Sequence, residues 1–177
     1  MRDATQGLTL IEFSFVLLVA GLLASAAAPS FGALSRNVVL GRESNALLSA
    51  LHYARAQAIS RGEPVVLCQS ADLRQCLVAA GPARGWLVFA DRQRGSPVRL
   101  DAPDALLQAH ELPPRLSLGG SRLALTYWPA TLAGTTATLT LCDDRGAPQA
   151  RAIITSQTGR PRSSRVSAEG GALACPV

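Results

Sequence analysis

The chain contains no lysine, so all 17 of its basic residues are arginine. So complete a bias follows genomic base composition, and no function is drawn from it alone. Histidine is nearly absent, with only His52 and His110. Both stand far in sequence from the four cysteines, no two of which have Cys-x2-Cys spacing, so no metal centre is expected. Ser121 stands alone and His52 lies beside an apolar stripe. No nucleophile, base and orienting group come together, and the sequence reads as a non-enzyme with no cofactor. Gly119-Gly120 and Gly170-Gly171 lack any phosphate-loop pattern. Aromatic residues are few, and Trp86 and Trp128 both sit in strand-like runs that read as core or interface rather than as base-stacking platforms. The Asp143-Asp144-Arg145-Gly146 cluster between two strand-like runs reads as a hairpin turn, not as a calcium site. There is no internal repeat and no low-complexity linker, apart from the Ala-rich end of one apolar run.

That run is the first thing the sequence does have. Residues 8–28 carry a single formal charge, Glu12. As a helix rising about 1.5 Å per residue they would reach roughly 32 Å, against a hydrocarbon core of about 30 Å. A secretory signal is one reading, with Arg2 as its charged region and Ala24-Ser25-Ala26 as its cleavage site. A plain uncleaved anchor is a second. Both leave Glu12 unexplained, and a carboxylate in a membrane costs about a few kcal/mol. The third reading uses every residue: Gly7-Leu8-Thr9-Leu10-Ile11-Glu12 resembles the processing motif of type IV prepilins. The resemblance implies that a prepilin peptidase cuts after Gly7 and methylates the new amine of Leu8. Residues 1–7 are then a leader and 8–29 the transmembrane half of an N-terminal helix, with Glu12 fifth and Pro29 22nd after the cut. A buried carboxylate is tolerable when paired, and the Leu8 amine of a neighbouring subunit would be that partner.

Removing residues 1–7 takes away Arg2 and Asp3, which leaves 16 basic against 11 acidic residues and keeps the net charge at +5. An exported basic chain is a candidate for polyanions. After the anchor, one soluble domain over residues 30–177 is expected. Its first part changes from continuous to periodic apolarity: Leu40, Leu47, Leu51, Ala54 and Ala58 form one helical stripe, with Arg36, Arg42, Glu43 and Arg55 mostly off it. Pro29 is expected to kink the helix. Arg61-Gly62-Glu63-Pro64 is a stop signal. A helix is predicted over about residues 9–60, its amphipathic half over 30–60.

Residues 64–177 read as strands and turns, with β-rich runs at 64–69, 85–91, 105–111, 123–128, 136–142 and 150–156. The fold class is therefore α+β, one long N-terminal helix packed on antiparallel β-sheet. Four cysteines in a chain with an export signal imply disulfides. Of three possible connectivities, Cys68 with Cys76 around a polar loop and Cys142 with Cys175 is the one expected. Closing the longer loop would stabilise the fold by roughly 3 to 4 kcal/mol on the chain-entropy model.

Residues Leu51-His52-Tyr53-Ala54-Arg55-Ala56-Gln57-Ala58-Ile59-Ser60-Arg61-Gly62, then Val65-Val66-Leu67-Cys68 and Gly85-Trp86-Leu87-Val88-Phe89-Ala90-Asp91, resemble the GspH/FimT family. This family holds minor pseudopilins of type II secretion and minor pilins of type IV pili, and the likeness runs over nearly the whole chain. It implies a type IV pilin-like fold, a single-pass inner-membrane protein with its soluble domain in the periplasm, incorporation into a cell-surface pilus, and other major and minor pilins as partners. The hairpin around Tyr127-Trp128-Pro129-Ala130-Thr131 departs from the family pattern. Thr158-Gly159-Arg160-Pro161-Arg162-Ser163-Ser164-Arg165 is similar to the Gly-Arg-x-Arg motif of DNA-binding FimT pilins. Gly159 permits a turn, Pro161 fixes its own φ, and an extended pair two residues apart sets Arg160 and Arg162 about 6.6 Å apart on one side. Planar guanidinium forks suit phosphate oxygens, and Arg165 and Arg151 would widen the patch.

Two function classes follow. One is a minor pilin that binds double-stranded DNA non-specifically through Gly159, Arg160, Arg162 and Arg165 and supports natural transformation. The other is a structural subunit, either a minor pseudopilin of type II secretion or a pilin that primes assembly. Both rest on the same processing step. Mass spectrometry of the native protein is expected to give a chain that starts at Leu8 with a methylated amine. A start near Ala27 would instead restore the secretory signal.

Overall fold

The structure, a computed structural model, describes residues 9–102, 104–129 and 134–176, without the side chains of residues 26–30. Gly7 and Leu8, between which cleavage is expected, lie outside the described residues, as does the side chain of Pro29. The chain divides into two compact units, Met1–Val38 and Val39–Val177.

Helix α1 runs over Leu10–Arg61. Its N-terminus has a local cause the prepilin resemblance did not require. Thr9 precedes it, and the Glu12 amide donates to Thr9 Oγ1 at 3.3 Å. Thr9 and Glu12 thus stand at the N-cap and third positions of a capping box, with the carboxylate near the positive end of the helix. In the first unit the apolar side chains from Leu10 to Leu23 are exposed, and so is Glu12. Among the described residues no helix is long and apolar enough to cross a membrane. Of the expected span, residues 8–29, side chains are described only over 9–25. The helix ends where the stop signal put it: Gly62 takes φ +66° and its amide donates to Ala58 O at 3.1 Å, a cap that a Cβ would strain.

In the second unit eight strands follow: β1 (Val65–Ser70), β2 (Gly85–Ala90), β3 (Ala105–Glu111), β4 (Ser117–Gly120), β5 (Ala124–Tyr127), β6 (Ala137–Cys142), β7 (Arg151–Thr155) and β8 (Pro161–Ser164). They make two sheets, in the orders β3-β2-β1-β5 and β4-β6-β7-β8. Every named pairing is antiparallel. A short 3-10 turn, Ala147–Gln149, is the one helical piece described after α1.

Period-two alternation assigns the faces. Val65, Leu67, Trp86, Val88 and Ala90 from the first sheet and Leu139, Leu141 and Ile153 from the second share one core with Leu40, Leu47, Leu51, Ala54 and Ala58 of the helix. The intervening residues build two further clusters. Val66, Cys68, Leu87 and Phe89 pack with Cys76, and Cys142, Ala152 and Ile154 pack with Leu173 and Cys175. The disulfides Cys68–Cys76 and Cys142–Cys175 form as expected, with Cα–Cα distances of 5.5 and 5.8 Å. Each holds a loop over the outer face of one sheet. Both faces of β1 and β2 are therefore buried, which is why these strands read as unbroken apolar runs.

Glu43 departs from the expected pattern. It is not on the solvated side of the helix but fully buried. His110 Nε2 donates to its Oε2 at 2.7 Å, and Arg42 Nε donates to Oε1 at 3.1 Å. The imidazole stacks on Trp86 with ring centroids 4.2 Å apart. Helix, β2 and β3 are thereby tied by one carboxylate. Among the described residues Trp86 Nε1 has no hydrogen-bond partner, a cost of about 1–3 kcal/mol. Burying some 150–250 Å² of indole returns about 4–6 kcal/mol, so burial wins. His110→Ala leaves the buried Glu43 carboxylate with Arg42 as its one described partner, and chemical denaturation of the full chain should show a loss of about 1–3 kcal/mol. Adding Glu43→Met should recover most of it, since an apolar side chain of similar volume needs no partner.

Candidate nucleic-acid interface

Strands β7 and β8 pair antiparallel, with Ala152 opposite Ser164, Ile154 opposite Arg162 and Thr155 opposite Pro161. β8 is the outer strand of its sheet, the place where Pro, lacking an N–H, is tolerated. The connection is a three-residue loop, 157–159. Gly159 donates to Ser156 O at 2.9 Å, and Ser156 donates to Arg160 O at 3.2 Å. Gly159 takes φ +68°, the left-handed position with which three-residue hairpin loops characteristically end. The turn that the sequence assigned to this glycine is thus a hairpin turn, and the Arg-Pro-Arg run continues as a strand.

Alternation along that strand sets the arginines. Pro161 is buried, whereas Arg160 and Arg162 on either side of it are exposed, as is Arg165 just beyond the strand. Among the described residues no acidic side chain forms an ion pair with any of the three. Arg151 is half-buried at the start of β7. By contrast Asp143 is engaged by Arg145, whose Nε donates to Oδ2 at 2.9 Å within the turn 143–146. That pair accounts for the acidic cluster as a turn.

The hairpin leans on the end of the other sheet. Gly134 bridges to Tyr127, and a Cβ on Gly134 would come within 3.0 Å of both the Gly159 Cα and the Tyr127 ring. Tyr127 is buried, and its hydroxyl lies near Thr155 without meeting hydrogen-bond geometry. Burial pushes the phenol up to about 12, with Thr155 and the Arg55 charge pulling weakly the other way. The chain then turns Trp128 outward, 42% exposed, with the Arg94 guanidinium 5.8 Å from its ring centroid. The two tryptophans, alike in sequence context, therefore differ: Trp86 is core and Trp128 is surface. Residues 130–133, which include Ala130 and Thr131 of the segment that departs from the family pattern, lie outside the described residues. Elsewhere, a groove of about 500 Å³ between β4 and the C-terminal segment is lined by Gln69, Gly119, Thr138, Thr140, Ser167 and Pro176, among others, and no lining residue is charged. It is not suited to an anion.

A long N-terminal helix under two antiparallel sheets, with the tail tied back by a disulfide, defines a type IV pilin-like protein. Two crystal structures of the type IV minor pilin FimU from Pseudomonas aeruginosa share this fold. One has a TM-score of 0.54 at 21% identity over 73% of this chain and 90% of that one. The other has a TM-score of 0.52 at 21% identity over 71% and 92%. Residues 43–159 match the family of type II transport protein GspH, and the chain belongs to that family. No curated protein matches it.

The buried phenol has a consequence at high pH. Its folded value lies above the ordinary value of 10, so the stability it lends is complete below pH 10 and lost as pH rises towards about 12. Thermal melts of Tyr127→Phe should equal or exceed wild type at neutral pH, because a buried hydroxyl without a described hydrogen bond takes its desolvation cost with it. The variant should then lose less stability than wild type between pH 10 and 12.

Proposed function

We propose that this protein is a minor pilin that binds double-stranded DNA without sequence preference through Gly159, Arg160 and Arg162, with help from Arg165, and so supports DNA uptake in natural transformation. The observation that carries the reading is the pair of exposed, acid-free arginines flanking a buried proline on an edge hairpin. In this reading the arginines meet phosphates and no recognition helix enters a groove, so affinity lies near the non-specific range of about 10⁻⁴ to 10⁻⁶ M. The protein acts without catalysis or cofactor. In this reading a prepilin peptidase releases residues 1–7, residues 8–29 hold the subunit in the inner membrane, and Glu12 pairs with the Leu8 amine of a neighbouring pilin during assembly. The Arg-bearing hairpin then faces the periplasm or the pilus surface.

A second reading is favoured by the family match itself, which is to a type II transport protein. Here the protein is a structural pseudopilin, and Pro161 with its arginines serves to blunt a sheet edge against pairing. Fluorescence anisotropy with a labelled duplex and the full chain in detergent separates the two. With about three phosphates neutralised, log K should fall against log salt with a slope near −2.7. Arg160→Gln with Arg162→Gln should flatten that slope by about 1.8. Unchanged affinity and slope in a folded double variant would remove this loop from the site, and no binding by wild type at low salt would leave the structural reading.

A further inference from the structure

Beyond the arginines, the same end of the molecule carries an aromatic surface that phosphate binding does not use. Trp128 follows Tyr127 at the end of β5, and Tyr127 is the residue against which the 157–159 loop packs through Gly134. The indole is 42% exposed, on a domain that fully buries its other tryptophan. An exposed indole costs solubility and gains nothing for the core, so its position calls for an occupant.

The surroundings say which kind. Arg94 lies over the Trp128 ring at 5.8 Å. Its loop is pinned, since the Arg94 amide donates to Asp91 Oδ1 at 2.6 Å and the Asp91 amide donates to Pro64 O at 2.9 Å. A cleft of about 270 Å³ lined by Gly62, Glu63, Pro64, Asp91, Arg92 and Arg94 adjoins this loop. Of its two acids, Asp91 is buried and Glu63 is paired with Arg92. The charge against the indole itself is the Arg94 guanidinium, and the hairpin that carries Arg160 and Arg162 reaches the adjacent Tyr127 through Gly134 and Gly159. A flat ring with a guanidinium against it, next to phosphate-binding arginines, has the composition of a single-strand platform: cations track the backbone and the ring takes a base. A partner protein surface would need apolar neighbours around Trp128 to form a desolvated patch. The described side chain against the ring is the Arg94 guanidinium, a charge and not an apolar neighbour.

We propose that Trp128, held by Arg94, stacks on an unpaired base, so that the protein prefers single-stranded or frayed DNA ends to intact duplex. This rests on the DNA-binding reading above, to which it adds a site and a substrate form. Duplex has no free base face, so Trp128 adds nothing to duplex affinity, while the arginines serve both forms.

The test is anisotropy of the full chain in detergent with labelled dT15 and with a 15-base-pair duplex, alongside quenching of tryptophan fluorescence. Trp128→Ala should weaken dT15 binding about tenfold, within the range measured for single stacked bases, and leave duplex binding unchanged. Trp128→Phe should retain most of the dT15 affinity. Because Trp86 is buried, dT15 should quench the exposed emission in wild type, and duplex should not. Arg160→Gln with Arg162→Gln should weaken both ligands. If that double variant loses both ligands while Trp128→Ala alters neither, or alters both equally, the stacking proposal falls and the DNA reading stands. If wild type binds neither ligand at low salt, both fall.

Discussion

The apolar stripe of α1 can leave water only by passing under both sheets at once, and most other features of the soluble unit follow from that burial. Leu40, Leu47, Leu51, Ala54 and Ala58 are all at most 1% exposed. At about 25 cal/mol per Å², the three leucines alone contribute about 5–9 kcal/mol of transfer free energy. That is comparable to the whole net stability of an ordinary domain. The alanines matter for a different reason: with no side chain beyond Cβ, they let strand backbones approach the helix closely. A larger residue at Ala54 or Ala58 would push Val65 and Leu67 away and open the core on both sides.

Covering one face of each sheet leaves the other face to be sealed, and neither outer face has a helix to do it. The chain uses two cross-linked loops. Cys76 brings Leu73 over Val66, Leu87 and Phe89, and Cys175 brings Leu173 over Ala152 and Ile154. Each outer cluster is too small to hold a loop by apolar contact alone, so the covalent tie replaces area that a larger domain would bury. The second tie also sets the mobility of the basic hairpin. Residues 143–174 lie between Cys142 and Cys175, so β7, β8 and the arginines belong to a closed loop anchored at both ends.

Much of this was legible in the residues. The helix stripe, its Gly62 stop, six of the eight strands and both disulfides agree with their sequence signals, because each rests on a local rule that tertiary context reinforced. The two strands that went unread show where such rules fail. β4 is Ser-Leu-Gly-Gly and β8 is Pro-Arg-Ser-Ser; neither has apolar alternation, and each is held by the ladder of a single well-formed neighbour. The division into two sheets was equally invisible, since it is decided by which strands β4 and β5 join and not by what they are made of. Glu43 looked solvated because of its charge, although its spacing, three residues after Leu40 and four before Leu47, places it on the buried stripe. His110, 67 residues away in sequence, completes its burial. Gly159 announced the turn, but only the register with β7 shows that Arg160 and Arg162 flank a buried residue. Nothing local distinguishes Trp86 from Trp128. One faces the helix and one lies past the end of its strand.

The arrangement of the arginines carries a small electrostatic cost. Two guanidiniums about two residues apart on an extended strand, roughly 6.6 Å, repel by about 0.6 kcal/mol in water. No described acid offsets this, although the chain places acids beside Arg42, Arg92 and Arg145. The repulsion is small against a hairpin fixed by its ladder, its turn bonds and the packing of Gly134 on Tyr127, so the fold tolerates it. Protecting a sheet edge would need only Pro161 and one charge. A second arginine on the same side, left unpaired, lowers the edge no further but raises the attraction for an anion, whose binding relieves the repulsion between the pair. Edge protection accounts for the proline between them, and the second arginine is the one on which the proposed polyanion contact rests.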